Sequence, residues 1–239
     1  MGLDINKAAS QLEQIASLLG EAKDDQSRNL ALCIERFNAG YEKQISEKLK
    51  VSKGQYSFNA CSIETKFFRR YSAKKLPANF TALSVDGSHI DVDRHISMPM
   101  ALINIGGSIL KYGENPNASL FSRPTLLSGS DLLLRDSATG SVEPIEGNLL
   151  EIYMSVEEVT ALADEMLSLK SSEPILAIID GSLTLWGIDK PTYPQFVRNL
   201  LFDEKYIKSL RRIQKASNTN NMSIAAYISF PRNKDVINA

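Results

Sequence analysis

Two stretches of the chain end in the same way: Ser84-Val85-Asp86-Gly87-Ser88 and Ile178-Ile179-Asp180-Gly181-Ser182. In each, a β-branched apolar run gives way to Asp-Gly. An Asp at the carboxyl end of a buried strand stands at the lip of a sheet while Gly lets the chain turn away, which is where α/β folds gather ligands. Neighbouring strands lie about 4.8 Å apart, so two such carboxylates on adjacent strands come near enough to share a divalent cation. Like charges at that range need one. A single Asp-Gly is ordinarily a turn; the repetition is what points to chemistry.

The segment from Asp86 to His95 adds ligand types at high density: His89, Asp91, Asp93, Arg94 and His95 follow Asp86, and both histidines of the chain fall here. The spacing matches no structural zinc signature, and oxygen-rich surroundings suit Mg²⁺ or Mn²⁺ better than Zn²⁺. For Asp91 and Asp93 a solvated loop is the competing explanation. Other chemistries lack their motifs. The chain has no GxxxxGK[ST], no GxGxxG after a strand, no GxSxG elbow and no HExxH.

Elements that could position these residues follow from periodicity. Residues 80–85 form a short β-rich run ending at Asp86-Gly87, and 98–105 another ending at Gly106-Gly107, with 108–112 available to pair next. Helical period returns over 149–169. The continuous apolar run 175–179, bounded by Pro174 and Asp180-Gly181, predicts a strand covered on both faces. A helix is expected over 193–216 and a last strand over 223–230, stopped by Pro231. Strands first, then alternating helix and strand, make an α/β fold with a mixed β-sheet flanked by helices.

Ahead of that core, Ile5, Ala8, Leu12 and Ile15 and then Leu30, Ile34, Phe37 and Tyr41 recur at helical spacing. Two amphipathic helices broken near residues 20–25 are expected, packing on the body of the protein or forming a dimer or partner surface. Residues 61–75 then turn basic, with Lys66, Arg69, Arg70, Lys74 and Lys75 interleaved with Phe67, Phe68 and Tyr71. That mixture suits nucleic acid, and equally an amphipathic helix whose aromatics face the core. The expected division is therefore a helical region with its basic and aromatic segment over 1–76, and an α/β core over 77–239.

Composition bounds the remaining classes. The 239 residues carry a formal net charge of −1, so nucleic-acid contact must come from local patches. Cys33 and Cys61 are far apart and lack CxxC spacing, which excludes a zinc ribbon or redox motif and favours a reducing cytoplasm. No apolar run approaches the length of a membrane span, and the first residues lack a basic and then apolar leader. A myristoylation signal fails because Asn6 stands where Ser or Thr is required.

The motifs taken in order are similar to those of the NurA nuclease family, DNA end-processing nucleases that work with the hexameric ATPase HerA. The matching pieces are Val85-Asp86-Gly-Ser88-His-Ile, Asp93-Arg94-His95, Leu102-Ile-Asn104-Ile-Gly106, Tyr112-Gly113, Ile179-Asp180-Gly-Ser182-Leu-Thr-Leu-Trp186, and Ala226-Tyr227-Ile-Ser229-Phe-Pro231 with Asp235-Val. The resemblance implies an RNase H-like core and a Mn²⁺- or Mg²⁺-dependent nuclease acting on DNA 5′ ends, with endonuclease activity on single strands. It places the two catalytic, metal-binding aspartates on Asp86 and Asp180. The catalytic glutamate falls on Glu158, with Glu157 a rival and Glu151 on the same helical face.

His89, Arg94, His95, Arg69 and Arg70 are the expected substrate contacts. DNA ends, a HerA-like hexameric ATPase and a second copy of the chain in a homodimer are the implied partners, with no membrane role. Family members usually continue past the Tyr-Ile-Ser-x-Pro strand and supply further active-site residues, so a core incomplete at its C-terminus is expected. The competing classes are a noncatalytic DNA- or ATPase-binding module built on a nuclease-like core, and a metal-dependent phosphohydrolase of small substrates.

Overall fold

Alternation of apolar and small or polar residues builds the central hairpin. β1 (Phe80–Ile90) buries Thr81, Leu83 and Val85, and β2 (Met100–Tyr112) buries Ala101, Ile103 and Ile105, as a two-residue period requires of a strand packed on one side. The two pair antiparallel along their whole length, from Phe80 opposite Tyr112 to Ile90 opposite Leu102. β3 (Asn117–Ser128) continues the meander on the outer edge. On the other side of β1, β6 (Ile175–Asp180) runs parallel, followed by β7 (Met222–Tyr227), also parallel. The sheet is mixed, in the order β3-β2-β1-β6-β7.

This computed structural model describes residues 23–35, 71–93, 97–169 and 171–229, with Ala9, Ile15 and Glu47 as single positions. The chain divides into two compact units, Met1–Lys74 with Arg232–Ala239, and Lys75–Pro231. In the first, α1 (23–35) is a helix with Leu30, Leu32 and Ile34 exposed. In the second, α2 (Asn148–Ser168) lays Leu150, Val156, Val159, Leu162, Ala163 and Met166 into a core shared with Leu83, Val85, Ile103, Ala177 and Ile179. Each fully buried aliphatic side chain contributes roughly 1.5–3 kcal/mol there, so α2 is clamped to the sheet along much of its length. A second helical stretch joins β6 to β7: α3 (Gln195–Arg198) passes through a widened π-type segment, Asn199–Ile207, into α4 (Lys208–Thr219). Its buried residues include Val197, Leu201, Tyr206 and Ile213. A small two-stranded sheet, β4 (Leu133–Arg135) with β5 (Val142–Pro144), fills the connection from β3 to α2.

The α/β class, the mixed sheet and the flanking helices are as the sequence leads one to expect, but several boundaries differ. β1 does not end at Asp86-Gly87. It continues to Ile90 as half of the hairpin, and only its parallel pairing with β6 stops, at Val85 opposite Ile179. Nor does β2 end at Gly106-Gly107; residues 108–112 belong to the same strand. Gly107 is there because a Cβ would run into the Phe121 ring and lie 2.6 Å from the Ser84 carbonyl oxygen. Within a strand, Gly can mark close approach rather than a stop.

β6 is covered on one face rather than two: Ile175, Ala177 and Ile179 are buried while Leu176 is exposed. The last strand stops at Tyr227, and the preceding helix begins at Gln195. Of the basic and aromatic segment only residues 71–75 are described, exposed and without regular structure. Its other residues, Arg69 and Arg70 among them, lie outside the described residues, as do most of the N-terminal periodic positions and the segment beyond Ser229.

Candidate nuclease site

Asp86 directly follows Val85 and Asp180 directly follows Ile179, and Val85 and Ile179 are register partners on the parallel pair β1 and β6. The two aspartates therefore stand side by side where the parallel pairing of β1 and β6 stops, Asp86 within β1 and Asp180 at the end of β6, both exposed. Alternation puts them on one face, opposite the buried Val85 and Ile179. Asp180 is held in place: the Ser229 hydroxyl donates to its Oδ2 at 3.0 Å and the Ser229 amide to its Oδ1 at 3.4 Å. Beyond it the chain reverses at Gly181, whose φ of +103° favours glycine and whose amide donates to the Tyr227 carbonyl at 2.9 Å.

Glu158 approaches from α2, on the other face. It is among the few charged residues of the core, 9% exposed. A Cβ at position 87 would lie 2.5 Å from Glu158 Oε1 and 2.8 Å from Met154 Cγ, so only glycine leaves room for this carboxylate against the backbone beside Asp86. The Gly87 amide donates a hydrogen bond to it. Burial nonetheless pushes the Glu158 carboxyl up to about 7; the Gly87 hydrogen bond opposes this rise, and the charges of Asp86 and Asp180 add to it. Its rivals are placed differently. Glu157 pairs with Lys205 at 2.9 Å, while Glu151 lines the same cleft as Glu158.

That cleft, of about 480 Å³, lies along α2 and the end of β6, with Glu151, Glu158, Asp180, Trp186, Lys190 and Tyr206 among its lining residues. Tyr206 comes from the π-wound segment and is raised in pKa, first by burial and then by the Glu158 charge. Among the described residues, no group of three or more His, Cys, Asp or Glu side chains is drawn together to hold a metal ion.

The dense segment after Asp86 separates into parts. Asp91 acts as a structural tie: both of its carboxylate oxygens accept from the Gly147 amide at 3.1 Å, and Oδ1 also accepts from the Val92 amide at 2.7 Å. This joins the end of β1 to the residue preceding α2. His89 lies on β1 opposite Ile103, and alternation places it on the α2 face, away from Asp86. Asp93 is exposed beyond the strand; Arg94 and His95 lie outside the described residues. Sequence reasoning did not single out Ser229, Trp186, Lys190 or Tyr206. The first two sat inside family motifs and were legible as positions without a role, whereas Tyr206 carried no signal beyond a helical apolar spacing.

A mixed sheet of this order flanked by helices is an α/β fold consistent with an RNase H-like core. The chain belongs to the NurA family: residues 80–239 match the NurA domain. That membership supports a nuclease-type function in DNA processing. No curated protein matches the chain. Among solved structures, it is similar to LC9-RNase H1, a type 1 RNase H with the type 2 active-site motif, at 10% identity over 70% of this chain and 71% of that one, with a TM-score of 0.31. It is also similar to the Prototype Foamy Virus protease-reverse transcriptase. The selenomethionine-labelled CSH mutant gives 14% identity and a TM-score of 0.34 over 69% of this chain, and the native form 14% and 0.29 over 68%. The chain spans 19% of that protein's length. Among the described residues no helix is long and apolar enough to cross a membrane.

Proposed function

We propose that the chain is a divalent-metal-dependent deoxyribonuclease acting on DNA ends in resection and repair, 5′ to 3′ as an exonuclease and endonucleolytically on single strands. The observation that carries this reading is the placement of Asp86 and Asp180 side by side where the parallel pairing of β1 and β6 stops, with Glu158 reaching the backbone beside Asp86 at Gly87. Asp86, Glu158 and Asp180 are the proposed catalytic residues. Their donor set fits a hard cation: three carboxylates, no thiol, and enough mutual repulsion to add to the rise of Glu158. Mn²⁺ or Mg²⁺ held by these three would supply the Lewis acidity that activates water and neutralises charge at the scissile phosphate.

The chain's own residues do the positioning. Ser229 orients Asp180, and Gly87 leaves room for Glu158 against the backbone beside Asp86. Cleavage in this reading is sequence-independent, with the phosphate backbone rather than base edges as the contact. Arg69, Arg70, Arg94 and His95 remain proposed phosphate contacts, and His89 a more distant one given its face of β1. Within the same reading, the proposed division of the chain is an N-terminal region over 1–76 and a nuclease core over 77–239. A HerA-like hexameric ATPase, DNA ends and a second copy are its partners, in the cytoplasm.

The test is digestion of labelled linear duplex and single-stranded DNA with Mn²⁺ or with EDTA. Asp180→Asn and Glu158→Gln are expected to lose at least about a hundredfold in metal-dependent rate, while the surface control Glu204→Gln keeps it. Unchanged digestion by Asp180→Asn would overturn the assignment. Retained DNA binding with no cleavage by the wild type would favour the noncatalytic module.

A further inference from the structure

Trp186 is the only tryptophan of the chain and is 70% exposed. An indole is among the side chains whose burial contributes most to stability, so one left open on an anchored loop needs an occupant. The loop is anchored on both sides. Leu185 and Ile188, flanking Trp186 and Gly187, are buried at 6% and 3% exposure, and Gly187 takes a φ of +84° between them. Further along, Lys190 Nζ donates to Asn148 Oδ1 at 3.2 Å, and Asn148 Nδ2 donates to the Tyr193 hydroxyl at 3.0 Å, which fastens the loop to the first residue of α2. At its start the Thr184 amide donates to Ser182 Oγ at 3.0 Å. The indole is thus held out of the core by fixed neighbours, and it lines the same cleft as Glu158, Asp180 and Lys190.

We propose that Trp186 is a stacking platform for an unpaired base of single-stranded DNA entering the carboxylate cleft. This rests on the nuclease reading and adds a residue that selects unpaired over paired substrate. Stacking is available only to a base released from its duplex partner, and it tolerates any sequence because every base has a π face. Lys190 lines the same cleft, and its ammonium, with one hydrogen bond given to Asn148 Oδ1, would meet the backbone phosphate, a modest electrostatic contribution that suits a chain of net charge −1. A base seated on Trp186 sets its adjoining phosphate toward the aspartates, as positioning at a reacting centre requires.

The uniqueness of Trp186 makes its fluorescence a site-specific reporter. With EDTA present to stop cleavage and at low ionic strength, an oligothymidylate of about 12 nucleotides is expected to quench it. An abasic deoxyribose-phosphate chain of equal length and charge should leave it nearly unchanged. By anisotropy of end-labelled oligothymidylate, Trp186→Ala should bind about tenfold more weakly, as loss of one stacked base implies, whereas Trp186→Phe should retain most of the affinity. Exposure of the indole means that Trp186→Ala should leave the fold intact, checked by its unfolding midpoint. Binding of labelled DNA with unmoved tryptophan fluorescence, or with Trp186→Ala as tight as the wild type, would overturn the stacking inference and leave the nuclease reading standing. No binding of either oligonucleotide would likewise overturn the stacking inference, whereas the nuclease reading falls only if metal-dependent cleavage is unchanged in Asp180→Asn.

Discussion

With no side chain at position 87, the Glu158 carboxylate reaches the backbone of β1 and takes the Gly87 amide as its hydrogen-bond partner. Its carboxyl is raised from 4.5 to about 7, chiefly by burial. Below pH 4.5 folded and unfolded chains both carry this proton. As pH rises from there to 7 the unfolded chain releases it and the folded chain does not, so the folded state loses stability across that window and stays lower above it. The loss is at most about 3 kcal/mol. Glu158→Gln keeps the acceptor and removes the charge, so the metal-free variant should be more stable than the wild type at pH 8 by up to that amount and equal to it at pH 4. Urea unfolding at the two pH values checks this. The repeated Asp-Gly made Asp86 and Asp180 legible in the sequence. The choice among Glu151, Glu157 and Glu158 was not, because helical spacing leaves two of them on one face; the proposal takes Glu158 for its approach to Gly87 and sets Glu157 aside for its pairing with Lys205.

The elements carry a division of labour that the sequence blurred. Asp91 lies five residues from Asp86 and looks like one more ligand, yet it bridges β1 to the amide of Gly147 at the start of the helix bearing Glu158. Asp91→Ala should therefore cost about 1 kcal/mol, the scale of a lost helix cap, measured as a lower unfolding midpoint. It should keep most metal-dependent cleavage, a pattern opposite to that of Asp180→Asn. Strand lengths differ from expectation where Gly reads as punctuation: Gly87 and Gly107 are sites of close approach inside long paired strands. β3 carries no legible signal at all. As an edge strand it leaves Leu120 and Leu126 exposed and tolerates Pro124, so neither alternation nor composition marks it.

For the molecule as a whole, the balance of charge leaves little general attraction for DNA, and part of the basic charge on the described surface is already paired, Lys205 with Glu157 and Arg212 with Asp164. In the proposed reading, substrate affinity comes from local contacts and from a cation at the carboxylates. The parallel pair β1 and β6 carries Asp86 and Asp180 and the packed helix α2 carries Glu158, so a shared cation site would need all three elements. Thermal unfolding of the metal-free chain titrated with Mn²⁺ tests that assembly most directly, because a ligand of the folded state alone stabilises it by mass action, about 2.7 kcal/mol at a hundred times its dissociation constant. The wild type and Asp91→Asn should rise in Tm with Mn²⁺, while Asp86→Asn, Glu158→Gln and Asp180→Asn should lose most of that rise. Equal Mn²⁺-dependent shifts in the wild type and all three carboxylate variants would contradict a shared cation site.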